Sequence, residues 1–373
     1  MEKNNQFNYI TYGATVNADK VRDFLKHLTD CSFGKKSLNR PTPACIWGMH
    51  GIGKTELVKE FALENGFEFI YIAPAQFEEM GDLVGMPQIK DVNDKNTTQF
   101  VAPDWVPTKK GPGILLIDDI NRADDRILRG IMQLLQNYEL VSWTLPENWM
   151  IISTANPDGG DYSVTTMDDA MLTRMIHVSM EFDVKTWARW AEKKEIDPRG
   201  IAFVLNYPEV VTGQRTTPRS LVQFFQSINS ISDLKKSLDL VKIIADGCLD
   251  QETSVAFINF INMDLDKLVA PEEILNTIDF KLINGRLKEL IDGKTKRLDI
   301  LSVILTRLTN SLIYNKTELS NKQFDNLHKF IMLPFIPNDL RLSMAQDLVN
   351  ADRKDLKRLY AIPEIGKLIL TKM

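Results

Sequence analysis

Cysteine is scarce in this chain. Cys31, Cys45 and Cys248 are the three in 373 residues, and their separations match no metal-binding or redox motif. A disulfide-stapled scaffold is thereby excluded, and free, mostly buried thiols in a reducing compartment are expected. Long apolar runs are missing too: no stretch approaches the ~18 residues of a membrane span. The opening Met1-Glu2-Lys3-Asn4-Asn5-Gln6 is polar, unlike a signal peptide. The expectation is a soluble, cytoplasmic chain with no membrane partner. Neither sign of charge dominates; 45 Lys+Arg against 50 Asp+Glu leave a net −5, with no overall pull toward nucleic acid. Internal repeats, low-complexity linkers and coiled-coil heptads are absent as well. No His/Cys/Asp cluster suggests a protein-bound transition metal.

What is present reads as a globular protein with room for two or three domains. Near the N-terminus Val21, Phe24, Leu25 and Leu28 share one helical face, with Asn17 as the cap. Segments 44–47, 67–72, 114–117 and 150–154 are short, apolar and rich in β-branched or aromatic residues. Helical stretches lie between them, and Leu128, Ile131, Met132 and Leu135 mark one. Strands alternating with helices imply an α/β domain with a parallel sheet covered on both faces. Asp91–Thr98 is polar and reads as a loop or hairpin tip. From Asp183 onward the pattern is helical. Thr217-Pro218 and Ala270-Pro271 are helix starts, and Leu301, Ile304, Leu305, Leu308 and Leu312 give an amphipathic helix near 296–315. The boundaries expected are an N-terminal helical segment at 1–39 packing on the core, an α/β core at 40–180, a small helical region at 181–235 and a helical C-terminal domain at 236–373.

The most informative string is Gly48-Met49-His50-Gly51-Ile52-Gly53-Lys54-Thr55, which fits G-x-x-x-x-G-K-[ST] at every fixed position. The glycines let successive backbone N–H groups turn inward onto a polyphosphate, and the helix that follows adds its positive end. Lys54 reaches the outer phosphates and the Thr55 hydroxyl ligates Mg²⁺. The context fits, because Ala44-Cys45-Ile46-Trp47 precedes the loop as a strand and Leu57, Val58 and Phe61 follow at helical spacing. Residues Gly48 through Glu56 are therefore the candidate nucleotide-binding segment. Some sixty residues on, Ile114-Leu115-Leu116-Ile117 runs into Asp118-Asp119. Asp118 is placed to hold Mg²⁺ and Asp119 to polarise the attacking water. The strand at 67–72 lies between the two motifs, so the metal aspartate is expected on a strand not sequence-adjacent to the phosphate-loop strand.

The string Ile117-Asp118-Asp119-Ile120-Asn121-Arg122-Ala123 resembles the D-E-I-N-R-A signature of MoxR-type AAA+ ATPases, members of the helix-2-insert group. Thr154-Ala155-Asn156-Pro157 resembles sensor 1, where the Asn amide orients the water and the γ-phosphate. Met171-Leu172-Thr173-Arg174 resembles the segment that carries an arginine finger, and Thr217-Pro218-Arg219-Ser220-Leu221 resembles sensor 2. Met80-Gly81-Asp82-Leu83-Val84-Gly85 sits where the family's second helix is interrupted by a hairpin. The resemblance spans about 40–230 and departs from the family at two places. Asp119 stands where the family has Glu, and Met175 stands where it has Phe.

The resemblance implies Mg²⁺-dependent ATP hydrolysis, with Asp119, Asn156 and Arg174 catalytic, Arg219 sensing the γ-phosphate and residues 181–235 forming a lid. ATP is favoured over GTP by the resemblance, and there is no N-K-x-D guanine motif. It also implies a ring, usually a hexamer, that remodels a protein client or a partner with a von Willebrand factor A domain. A nucleic-acid motor would need basic hairpins. Val84–Val101 balances Lys90 and Lys95 against Asp91 and Asp94, and Asn137–Asn148 has Glu139 and Glu147 with no Lys or Arg. A slow nucleotide-dependent scaffold is the third alternative, because Asp119 is one methylene short. Arg122 is either a contact to a neighbouring subunit or a solvated arginine. His27, His177 and His328 read as packing residues, and His50 contributes its backbone.

Overall fold

A computed structural model describes residues 10, 12–34, 41–92, 95–157, 164–211, 215–263, 269–291, 298–314, 318–351, 353 and 355–361. The chain divides into two compact units, 1–183 and 184–373.

In chain order the first unit holds β1 (Ala14–Val16), α1 (Ala18–Phe33), β2 (Ala44–Trp47), α2 (Lys54–Glu64), β3 (Glu68–Ile72), α3 (Met80–Val84), β4 (Met86–Val92) and β5 (Lys95–Val101). It continues with β6 (Gly113–Ile117), α4 (Asp125–Asn137), β7 (Glu139–Leu140), β8 (Trp143–Thr144), β9 (Trp149–Ala155), α5 (Asp169–Leu172) and β10 (Ile176–Met180). Six of these strands form one sheet in the order β1-β10-β2-β9-β6-β3, and every neighbouring pair is parallel. The β9 strand separates β2 from β6, so the phosphate-loop strand and the strand ending at Asp118 are not adjacent.

Period-2 alternation sorts the central strands between two apolar layers. Cys45, Trp47, Leu115, Ile117, Trp149 and Ile151 face a cluster completed by Ile127, Ile131, Leu134 and Leu135 of α4. Ala44, Ile46, Ile114, Leu116, Met150 and Ile152 face the other, completed by Val21 and Leu25 of α1 and Leu57, Val58 and Phe61 of α2. Strands buried on both faces cannot alternate with polar residues, which is why they read as continuous apolar runs. Each fully buried Ile or Leu contributes about 1.5–3 kcal/mol of transfer free energy. The α1 cap is as expected, with Asn17 accepting from the Lys20 amide at 3.1 Å. Two further strands, β1 and β10, extend the sheet beyond the segments singled out in the sequence.

Between β3 and β6 the chain builds the short α3 and the antiparallel β4–β5 hairpin. Gly85 is the joint: its φ is +91° and a Cβ there would lie 1.8 Å from the Val101 carbonyl oxygen. Asp91 pairs with Asn96 near the hairpin tip. A second, smaller hairpin, β7–β8, follows α4. The bases of both hairpins are tied through tryptophans. Trp105 and Trp143 meet edge to face at 5.3 Å; Trp105 Nε1 donates to the Asp82 carbonyl and Trp143 Nε1 to that of Val84.

The second unit is helical among the described residues: α6 (Val184–Lys193), α7 (Pro198–Asn206), α8 (Pro218–Ile228), α9 (Leu238–Cys248), α10 (Gln251–Asn262), α11 (Pro271–Asn276), α12 (Phe280–Ile291), α13 (Leu298–Tyr314), α14 (Asn321–Ile331) and α15 (Asn338–Asn350), with short 3-10 turns. Phe203, Phe224, Phe257 and Phe260 pack edge to face at its core, with centroids 4.8–5.5 Å apart. Thr217 caps α8 by accepting from the Ser220 amide, with Pro218 at the first helical position.

Two expectations need correction. Of the three cysteines only Cys45 is buried; Cys31 is exposed, off the apolar face of α1, and Cys248, the last residue of α9, is intermediate. His27 is likewise exposed on α1, with its ring 3.8 Å from the Cys31 sulfur, so it is no packing residue.

Candidate active site

Parallel register builds the site. Trp47 is opposite Ala155 and Ile117 opposite Ser153, so the residues that follow these strands emerge side by side at one edge of the sheet. Gly48, Asp118 and Asn156 are those residues.

The loop from Gly48 ends at Gly53, whose φ of +100° is in the left-handed region and lets α2 start at Lys54. Lys54 is 5% exposed. Its ammonium donates to the Gly48 carbonyl at 2.6 Å, the Met49 carbonyl at 3.2 Å and Asn156 Oδ1 at 3.1 Å. Gly51 is buried, and Met49, His50 and Ile52 are partly so. Glu56 is exposed in the first turn of α2. Beneath the lysine, burial pushes the Cys45 thiol above its ordinary range, partly offset by the Lys54 charge. It stays a neutral thiol.

Thr55 Oγ1 donates to Asp118 Oδ1 at 2.7 Å. The same carboxylate oxygen accepts from Thr154 Oγ1 at 2.6 Å, and Tyr71 OH donates to Oδ2 at 3.3 Å. Thr154 in turn accepts from the Asp119 amide at 2.8 Å, so it fixes both aspartates. Asp119 itself has φ +47° and ψ +47°. A short carboxylate suits this left-handed position, which Asn and Asp occupy far more readily than longer side chains. Its Oδ1 accepts from Asn156 Nδ2 at 2.9 Å, and its Oδ2 lies 3.3 Å from Arg122 Nε.

Asn156 is fully buried. Its backbone is clamped by Asn121, whose Nδ2 donates to the Asn156 carbonyl at 2.8 Å and whose Oδ1 accepts from the Asn156 amide at 3.1 Å. One chain of contacts therefore runs Lys54–Asn156–Asp119–Arg122, with Thr55–Asp118–Thr154 beside it. The donors around Asp118 are oxygens only, a set suited to Mg²⁺. No group of three or more His, Cys, Asp or Glu placed to hold a metal occurs among the described residues. Any Mg²⁺ would therefore take Thr55, Asp118, water and phosphate oxygens.

Arg174 lies apart from these groups, partly exposed after α5. Its Nε and Nη2 donate to Gln136 Oε1 at 3.0 and 2.9 Å, and Nη1 to the Ala170 carbonyl. Arg219 is in the second unit, exposed in the first turn of α8. Thr154, Tyr71 and Asn121, and the pairing of Arg122 with Asp119, were not singled out by sequence. The strand register that brings 118 beside 154 is the signal that finds Thr154.

Residues 43–175 match the AAA domain of the dynein-related subfamily. The matched stretch lies within the α/β unit and contains the loop from Gly48 to Thr55, Asp118, Asp119, Asn156 and Arg174. Midasin of Giardia intestinalis is 23% identical over 153 residues, covering 39% of this chain; the chain spans only 3% of that relative's length. A RuvB mutant from Thermotoga maritima aligns with a TM-score of 0.41 at 13% identity, over 83% of this chain and 94% of its own. RuvB from the same organism, described as a Holliday junction branch migration motor, gives 0.38 at 13% identity over the same shares. No helix among the described residues is long and apolar enough to cross a membrane.

Proposed function

We propose that this chain hydrolyses ATP with Mg²⁺ as one subunit of a ring and uses the cycle to remodel or assemble a protein partner. The observation that supports this is the contact of one Asn156 amide with both Lys54 and Asp119, the side chains to which we assign phosphate binding and polarisation of the water. Lys54 takes the outer phosphates, the loop from Gly48 to Glu56 cradles them, and Thr55 with Asp118 holds Mg²⁺, which supplies charge neutralisation on the phosphates. Asp119 accepts the proton of the attacking water, and Asn156 orients it. Residues 181–235 act as the lid, from which Arg219 senses the γ-phosphate. Arg174 is supplied to the neighbouring subunit's site, which requires an oligomer; a hexamer is the size proposed. Protein is favoured over nucleic acid as the partner by the longer hairpin. It exposes Ile89 (78%) and Met86 (64%) beside Lys90 and Asp91, an apolar and charge-balanced surface.

Two substitutions test the assignment. Lys54→Ala is expected to abolish binding of a fluorescent ATP analogue. Arg174→Ala is expected to bind it normally and to lose hydrolysis, with partial recovery in rings mixed with an Asn156→Ala variant. Unchanged affinity in the first removes the nucleotide site; failure of mixing to restore turnover removes the role in trans.

A further inference from the structure

His177 is held at both ring nitrogens. Trp47 Nε1–H donates to its Nδ1 at 2.9 Å, and its Nε2 lies 2.7 Å from the Leu172 carbonyl oxygen. An indole N–H only donates and a carbonyl only accepts, so both bonds exist together in one form of the ring, neutral with the proton on Nε2. The two partners belong to the two halves of the chemistry proposed above. Trp47 is the last residue of β2, 2% exposed, and Gly48 follows it directly. Leu172 is the last residue of α5, and its carbonyl also accepts from the Met175 amide at 3.2 Å, closing the turn that contains Arg174.

The register explains the reach. His177 is opposite Cys45 and Ser179 opposite Trp47, so His177 and Trp47 are diagonal neighbours on one face of a parallel pair. Tyr12 packs against both rings, at 4.9 Å from Trp47 and 5.7 Å from His177, and holds the indole in place. The bridge therefore joins the strand that delivers the phosphate loop to the turn that presents Arg174, through two directed hydrogen bonds.

We infer that His177 is a positioning residue, tying the Arg174 turn to the phosphate-loop strand so that a subunit's own loop sets the pose of the arginine it offers to its neighbour. This rests on the proposed role of Arg174. Simple packing would need only a ring of the right size at 177. Positioning needs an acceptor toward Trp47 and a donor toward Leu172, which a glutamine amide also supplies.

The test measures kcat, KM and affinity for a fluorescent ATP analogue in full-length Arg174→Ala, His177→Phe, His177→Gln, Trp47→Phe and the Trp47→Phe/His177→Phe pair. His177→Phe should lower kcat by ~10-fold or more, the size of effect that misplacing a reacting group produces, with analogue affinity unchanged. His177→Gln should recover most of that loss. Trp47→Phe should lower kcat too, and the double variant should be no worse than the worse single one, because both remove the same bridge. Wild-type kcat in His177→Phe, with Arg174→Ala inactive, overturns the inference. So does an equal loss in His177→Phe and His177→Gln, which marks a fold requirement. Wild-type kcat in Arg174→Ala instead overturns the role of Arg174, and the inference falls with it.

Discussion

The Asn156 side chain donates to Asp119 at 2.9 Å while its carbonyl oxygen accepts from Lys54 at 3.1 Å, so one buried amide reports on both ends of the site. Its orientation follows from its partners, since a carboxylate needs a donor and an ammonium an acceptor. Asp119 is in this way held at a defined place despite being one methylene shorter than the glutamate of the signature it resembles.

Asp119→Asn should keep near-native affinity for ATP and lower turnover by about 10²-fold or more, the usual contribution of a positioned base. The wild-type rate itself should fall near or below ~1–10 s⁻¹. Steady-state ATPase assays decide it: an Asp119→Asn protein that turns over at the wild-type rate would show that Asp119 is not the base.

Asp118→Asn should act differently. Thr55, Thr154 and Tyr71 all hydrogen-bond this carboxylate, so its loss should disturb the proposed Mg²⁺ side of the site while leaving Lys54 in place. Titrating Mg²⁺ at fixed ATP should show a higher Mg²⁺ requirement for binding than in Asp119→Asn. Equal requirements in the two variants would count against the division of roles.

In the helical unit, Glu192 of α6 faces Arg307 of α13 at 4.0 Å, and neither Glu192 Oε1 nor Arg307 Nε makes a hydrogen bond. Burial raises the Glu192 pKa; Arg307 lowers it in part and Glu272 adds to the rise. The folded protein thus holds this proton more tightly than the unfolded chain does. The group's contribution to stability is full below the ordinary glutamate pKa and is lost as pH rises through the raised folded value. Denaturant unfolding across that window should show wild type losing stability relative to Glu192→Gln as pH increases. A constant difference between the two would contradict it.

DNA or RNA should stimulate turnover little at physiological salt, because the long hairpin is charge-balanced and the short one carries no Lys or Arg. Large stimulation that disappears with added salt would move a nucleic-acid substrate ahead of a protein one.

The central strands were legible in the sequence because double-sided burial leaves no polar interruption, as in Ile114-Leu115-Leu116-Ile117. The phosphate loop was legible because its glycines and lysine sit at fixed spacings. Two strands escaped notice for a physical reason. Ala14–Val16 is three residues long and largely exposed, and Ile176–Met180 interleaves His177 and Ser179 with apolar residues, so neither makes a continuous run. Side-chain pairings across strands were hidden altogether. Thr154 meeting both aspartates, Arg122 turning back to Asp119, and His177 reaching Trp47 all depend on register, which no single segment records.

The pairing of Ala14 with Val178 and of Val16 with Met180 also bears on how the chain folds during synthesis. Among the described residues β1 has its sheet partner in β10, the last strand of the α/β unit, so it has to wait until nearly the whole of that unit has left the ribosome. Until then residues 14–16 have no edge to join, and β2 lacks one of its two neighbours. Contacts between such distant segments are slow to form and leave strand edges open meanwhile. Folding of this unit is therefore expected to complete late and all at once, with closure of the sheet edge as its final step.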